Sequence, residues 1–262
     1  VILGVPTVQT VFGQAKDYSK DEDAILVNVT AHQYWWKFEY PQEGIVTAQE
    51  LVVPKNSTIV IEAKTADVLH SFWVPALAGK IDTNPAGNIN RMYIKTPDKT
   101  GIFLGKCAEL CGPAHALMDF KVKVVDEESY ANWISAMKAP AKLPEDPAIA
   151  EVFEKKCLSC HAVGDKGVPV YPDLTGIGDR ETVAGILVNT DNPKYKHEGT
   201  VYDNLYRWIK NPQEVKPGNL MPTVELTEEE LQGIARYLAD YKLHYESEEL
   251  RNNDATSDKE ER

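Results

Sequence analysis

The 262-residue sequence contains no uninterrupted apolar run of 18 residues, so no segment within it is long and apolar enough to cross a bilayer as a helix. Positive charge is also short. Against 40 Asp and Glu stand 28 Lys and Arg, a formal charge of −12, which excludes a nucleic-acid binder that must displace counterions from phosphates. The apolar opening, residues 1–12, lacks the basic flank of a signal peptide. It contains Gly4 and Pro6, and it reads either as a plain N-terminal strand or as the stub of a membrane anchor. No internal repeat is present. What remains is an ordinary globular composition, 43% apolar and 26% charged, with length enough for two domains.

The texture of the chain changes once. Residues 23–40 are rich in β-branched and aromatic types, with Ile25, Val27 and Val29 alternating with polar neighbours. Further β-rich runs follow at residues 51–53, 58–63, 69–74, 90–95, 101–104 and 120–125, separated by turn signals at Pro41, 54–56, 84–87 and 97–98. Short strands at this spacing predict a β-sandwich over residues 21–138, closed by a helix over residues 127–137. Residues 139–147 hold three prolines and predict a semi-stiff linker, at most about 30 Å long when extended. Helices follow over residues 148–156, 202–210 and 227–241, the last opened by Thr227 and Glu230 in a capping-box pattern. Residues 246–262 are polar and acidic and read as a disordered tail. The fold class expected is therefore mainly β plus all-α.

Only four cysteines are present, and their spacing points away from disulfides. Cys157-Leu158-Ser159-Cys160-His161 is C-x-x-C-H, the attachment signal for c-type haem. Two thiols one helical turn apart can add across the vinyl groups, and His161 then offers an imidazole to the iron. A thioredoxin-like redox pair is the alternative, but that wants a βαβ context and the flanks here are helical. Met221, in a Pro-containing loop before the last helix, is the candidate for the second axial position, where a thioether raises the potential. His197 is the competing ligand, but it lies in a polar stretch, residues 194–199, and reads as a surface residue; His244, at the end of the last helix, reads likewise. Helix, C-x-x-C-H, loop, Met and amphipathic helix together resemble a class I cytochrome c over residues 148–243. Within it Pro172-Asp173-Leu174 resembles the family's Pro-Asn-Leu segment, whose proline carbonyl accepts the bond from the proximal histidine Nδ1–H.

The other pair is Cys107-x3-Cys111-x3-His115-x2-Met118. Soft thiolates, imidazole and a thioether select copper or zinc over magnesium or calcium. A single blue copper needs one thiolate; the second thiolate here is enough to bridge two metal ions, with His70 available upstream as a further imidazole. A tetrahedral zinc held by two cysteines and two histidines is the rival, although it has no use for Met118.

The segments 70–75 (His-Ser-Phe-Trp-Val-Pro), 79–83 (Gly-Lys-Ile-Asp-Thr) and 105–118 resemble the CuA domain of cytochrome c oxidase subunit II. With the haem segment behind it, the chain resembles the extramembrane part of that subunit from a caa-type oxidase. The resemblance implies a cupredoxin-like Greek-key β-sandwich over residues 21–138, preceded by an anchor stub and lead-in over residues 1–20. A class I cytochrome c helical domain follows over residues 148–245. It implies a mixed-valence dicopper centre on His70, Cys107, Cys111, His115, Met118 and the Glu109 carbonyl, with the Glu109 side chain reaching a Mg²⁺ at the subunit border. Cys157, Cys160, His161 and Met221 would hold one covalent haem c.

The implied function is an electron-transfer subunit of a terminal respiratory oxidase, taking electrons from haem c to CuA and on to the subunit that reduces dioxygen. The chain would thus belong to a proton-translocating oxidoreductase while carrying no catalytic residue for dioxygen itself. Its partners would be oxidase subunit I and, as donor, a quinol–cytochrome c reductase or a small cytochrome c. Membrane anchors outside this sequence would place it on the outer face of a bacterial cytoplasmic membrane. The CuA/haem c subunit of a nitric oxide reductase is the alternative. A copper nitrite reductase is excluded because it needs a second, three-histidine copper, and only six histidines are present in all. Two departures from the family pattern stand out. Tyr34 occupies the place of the tryptophan that takes electrons from soluble cytochrome c, and residues 84–88 replace the usual Pro-Gly-Arg. The stripe Tyr34, Trp35 and Trp36 reads equally as sheet face and core. His32 reads as a hydrogen-bonded structural residue.

Overall fold

A computed structural model describes residues 3–14 and 23–247. Helix α1 (Gly4–Gln14) replaces the strand considered for the opening segment. The reason is visible in the spacing: Val5, Val8, Val11 and Phe12 recur at helical intervals, and Pro6 sits in the first turn, where its missing N–H interrupts no bond. These side chains are exposed. No helix among the described residues is long and apolar enough to cross a membrane.

Ten strands then build two five-stranded sheets. One has the order β3 (Ile45–Ala48), β2 (Trp35–Tyr40), β1 (Ile25–His32), β5 (Thr58–Thr65), β8 (Asn90–Lys95). The other has the order β4 (Glu50–Pro54), β10 (Asp119–Val125), β9 (Gly101–Cys107), β6 (His70–Trp73), β7 (Lys80–Thr83). The β1–β5 and β4–β10 pairs are parallel, and the remaining pairs are antiparallel. The β-rich run 23–40 divides at Gln33–Tyr34 into a hairpin in which His32 faces Trp35. β3 and β7 are short and were not legible in the composition. The inward faces meet around Trp36, Phe72 and Phe120; the last two stack with centroids 4.9 Å apart, and Trp36 tilts onto Phe120 at 5.2 Å. Helix α2 (Glu127–Met137) is capped by Asp126 and sets Trp133 against Tyr40.

The second domain has its own core around helices α3 (Pro147–Lys156), α4 (Val201–Lys210), the short α5 (Pro212–Val215) and α6 (Glu228–Asp240). The expected capping box of Thr227 and Glu230 is formed at α6, and α4 opens with another from Thr200 and Asp203. The bounds expected for the connecting segments shift. The proline-rich residues 139–146 carry no regular structure, as a linker would, but they lie against the second domain and end one residue earlier than expected. Ala141 N–H donates to Asp165, the Lys142 carbonyl accepts from Tyr237, and Pro147 already belongs to α3. The tail does not begin at 246. Glu246 accepts from the buried Lys123 at 2.7 Å, and Ser247 bonds both Asp126 and Ser129, so the chain returns to the sandwich after α6. A buried cation needs an acceptor, and Glu246 supplies one. The expected lead-in at 15–20 and the tail beyond 247 lie outside the described residues.

The two domains meet along a seam. Lys123 also donates to Glu181 at 3.1 Å, and the Glu181 amide donates to Glu50 at 3.0 Å. Further along, the buried Lys216 donates to the carbonyls of Tyr34, at 3.0 Å, and Ala184.

Candidate functional site

The loop joining β9 to β10 carries the first donor set. Cys107 ends β9 with its amide bonded to the Met118 carbonyl, and a 3-10 turn over His115–Leu117 returns the chain to β10. This closure brings Cys111, His115 and Met118 back over Cys107. His70, at the start of β6, comes from the neighbouring strand. Cys107 Sγ and Cys111 Sγ lie 3.8 Å apart, well beyond disulfide length, so both thiols are free. His70 Nδ1 is 3.8 Å from Cys107 Sγ, and His115 Nδ1 is 3.6 Å from Cys111 Sγ. Met118 Sδ is 3.9 Å from Cys111 Sγ, and the Glu109 carbonyl is 3.2 Å from Cys107 Sγ. His70, Cys107 and Cys111 form the one cluster of three metal-ligating residue types found among the described residues.

The hydrogen bond from Cys111 holds Cys107 toward the thiolate, against its burial, and the same bond pushes the Cys111 thiol up. Burial lowers His70, but its bonds to Asp67 and Cys107 outweigh that and leave it raised. Asp67 was not singled out from the sequence. Its Oδ1 lies 2.7 Å from His70 Nε2 and its Oδ2 accepts from the Gln33 amide, which leaves Nδ1 as the nitrogen facing the sulfurs. The Asp67-x-x-His70 spacing was the available signal. Six donors in this arrangement could hold soft metal ions: two sulfurs close enough to be shared, two imidazoles, a thioether and a carbonyl. Thioether and carbonyl exceed what a tetrahedral zinc uses. The Glu109 carboxylate joins no cluster of three ligating side chains among the described residues, so the magnesium expected there finds no support in this chain.

The second site is an apolar cavity, partly open to solvent, walled mainly by the helical domain and closed on one side by Gln33, Tyr34, Trp35 and Gln49 of the sandwich. Cys157, Cys160, His161 and Met221 all line it, with Phe153, Leu205, Ile234 and Leu238 among the apolar walls. Cys157 caps α3, and the backbone then turns so that the His161 amide bonds the Cys157 carbonyl. His161 Nδ1 is 2.7 Å from the Pro172 carbonyl, as the Pro-Asp-Leu segment suggested, so Nδ1 carries the proton and Nε2 remains free to coordinate. Burial holds His161 below its usual value, which favours the neutral imidazole a metal requires, although the Pro172 bond acts the other way. Burial also pushes the Cys157 thiol up to about 11. A flat apolar macrocycle fits such a cavity, with two thiols at one edge and an imidazole and a thioether in its walls.

The other histidines take no part. His197 and His244 are exposed, as expected. His32 is corrected: it stacks on Trp35 at 4.2 Å, and its Nε2 is buried with no hydrogen-bond partner among the described residues. Tyr34, Trp35 and Trp36 are all buried, and Tyr34 and Trp35 line the cavity of the helical domain. Lys216, on the same wall, gave no signal in the sequence. Burial pulls its amine down to about 7, with only the charge of Asp119 opposing.

Comparison with known proteins divides the chain at the same change of texture. Residues 43–125 match the family model of the cytochrome c oxidase subunit II periplasmic domain, and residues 148–242 match that of cytochrome c. The cytochrome c oxidase subunit 2 of Alkalihalophilus pseudofirmus is 41% identical over 251 residues, covering 93% of this chain and 70% of that protein. Its counterpart from Bacillus sp. strain PS3 is 42% identical over 264 residues, covering 93% and 71%. That of Bacillus subtilis is 39% identical over 265 residues, covering 92% and 71%. Similarity that runs through both domains and across the segment between them makes this chain a member of the cytochrome c oxidase subunit II family, in the form that carries a cytochrome c domain behind its cupredoxin-like sandwich.

Proposed function

We propose that this chain passes electrons from a haem c held by Cys157, Cys160, His161 and Met221 to a dicopper centre and on to the subunit that reduces dioxygen. The copper ligands are His70, Cys107, Cys111, His115, Met118 and the Glu109 carbonyl. The observation that carries the reading is the sharing of one turn by both sites. Gln33 and Tyr34 line the cavity, and Gln33 Nε2 donates to the Cys111 carbonyl at 2.5 Å.

When bound, haem and copper supply one-electron chemistry; the protein supplies position and environment. Pro172 and Asp67 orient the two histidines through their outer nitrogens. Met221 offers a thioether, which favours the reduced iron. Trp36, Phe72 and Phe120 pack the sandwich interior, and Trp36 Nε1 is 3.4 Å from the Met118 carbonyl, so the ligand loop rests on a rigid frame. Fusion replaces a diffusional encounter by an internal one at an effective concentration on the order of millimolar or above. No residue here is required to make or break a covalent bond of dioxygen; that chemistry and proton pumping belong to subunit I. A small cytochrome c or a quinol–cytochrome c reductase is the donor, on the outer face of the cytoplasmic membrane.

Metal analysis of the loaded chain tests the reading. Two coppers and one haem per chain are expected. One zinc in place of the coppers ends it, and copurification with a haem-containing membrane subunit identifies the reaction served.

A further inference from the structure

The wall shared by the cavity and the sandwich contains an unbroken chain of hydrogen bonds that no motif announces. The Met221 amide donates to Asn219 Oδ1 at 2.8 Å, and Asn219 Nδ2 donates to the Lys216 carbonyl at 2.6 Å. The Lys216 side chain then leaves the helical domain, and its Nζ donates to the Tyr34 carbonyl of the sandwich at 3.0 Å. One residue back along that turn, Gln33 Nε2 donates to the Cys111 carbonyl. Between these four contacts every step is covalent. The path begins at the backbone amide of the residue offered to the iron and ends at the backbone carbonyl of Cys111, a residue whose sulfur is offered to copper.

Lys216 is the link that crosses between domains. It is 2% exposed, and no carboxylate lies within ion-pair distance of it among the described residues. A buried amine held only by two carbonyls is costly, and a methionine of similar length would fill the space without that cost. The tight approach beside it fixes the same register. Gly185, with φ +80°, lies so close to the Asp119 carbonyl that a Cβ would come within 2.2 Å of that oxygen.

We propose that Lys216 is a positioning residue for electron transfer between the two centres, joining the Met221 loop to the Gln33–Tyr34 turn and through it to Cys111. The inference rests on the haem-to-copper reading above. The step passes one electron and no proton: the haem iron is oxidised, the copper pair is reduced, and no covalent bond forms or breaks.

The test uses the full chain loaded with haem and copper. A light-activated reductant delivers one electron to the haem, and the haem and copper absorption bands are followed in time. Lys216→Met is expected to slow internal transfer on the order of tenfold, the population equivalent of losing one buried hydrogen bond. The rate of haem reduction by the external reductant and both absorption spectra should stay as in the wild type. The haem potential is measured alongside. The copper potential is measured with it, and a slower rate at an unchanged difference between the two potentials reports position.

Gln33→Leu breaks the other end of the path and serves where Lys216→Met fails to fold. If both variants interrupt one route, the double variant loses little more than either alone. A wild-type internal rate in either single variant, with both centres spectroscopically intact, overturns the proposal, and so do fully additive losses. Absence of the copper or haem bands in the wild-type chain would instead count against the haem-to-copper reading itself.

Discussion

Asp67→Ala removes the group that orients His70. In the folded chain one carboxylate serves four partners: Oδ1 lies 2.7 Å from His70 Nε2, 2.7 Å from the Val68 amide and 3.4 Å from Thr65 Oγ1, and Oδ2 lies 2.7 Å from the Gln33 amide. The His70 side chain is fully buried while that of Asp67 is 28% exposed, so solvent entering the vacated space is the only substitute acceptor, and the full cost applies where it does not reach Nε2. An orphaned buried N–H costs about 1–3 kcal/mol. Loss of the partner that fixes a ligating histidine typically weakens metal binding about 10- to 100-fold, or roughly 1.4–2.8 kcal/mol. The two estimates agree, which sets the expectation at one to two decades in copper affinity. Asp67→Asn keeps an acceptor and loses the charge, so it should fall between alanine and wild type. The assay is competition for copper against a chelator of known strength, with denaturant unfolding of the copper-free chain to separate affinity from folding. An alanine variant that holds copper as tightly as the wild type would refute the assignment of Asp67 and weaken that of His70.

Three further outcomes follow from other parts of the molecule. Met221→Ala should lower the haem potential and open a coordination position to added imidazole; an unchanged absorption spectrum would show that another residue holds that position. Gly105→Ala would set a Cβ 2.2 Å from the Phe120 ring, which is pinned by Phe72 and Trp36, so overpacking should destabilise the sandwich by about 1–3 kcal/mol or more. An unaltered denaturation midpoint would mean that the ring can yield. At the seam, burial raises the Glu50 carboxyl from an ordinary 4.5 to about 7, with Lys123 opposing. A carboxyl raised by folding favours the folded state fully below about pH 4.5 and loses that contribution as the pH climbs through 7. Melting temperature should therefore fall across that window in the wild type and fall less in Glu50→Gln; parallel curves for the two proteins would refute this.

Much of this was legible because the deciding interactions are local. The C-x-x-C-H run and the Cys107–Met118 spacing place donors within one or two turns of each other, and a loop of that length can close on itself in few ways. The capping box at Thr227 and the helix Glu127–Met137 depend on hydrogen bonds three or four residues apart, and both appeared as expected. Of the two readings of the opening segment, the strand gave way to a helix, because the apolar residues after Pro6 recur at helical intervals. Short strands such as β3 and β7 escaped because their place is fixed by partners across the sheet and not by their own composition.

What the sequence determined by itself was the chemistry on offer: two soft-donor sets, one for copper or zinc and one for haem, on a strand-rich domain followed by a helical one. Tertiary structure alone decided how those sets face each other. The return of Tyr245, Glu246 and Ser247 to the sandwich, the burial of Tyr34 beneath the helical domain, and the reach of Lys216 to the Tyr34 carbonyl join residues more than a hundred positions apart. Such contacts leave no periodicity or spacing to read, because each depends on where two separately folded cores come to rest.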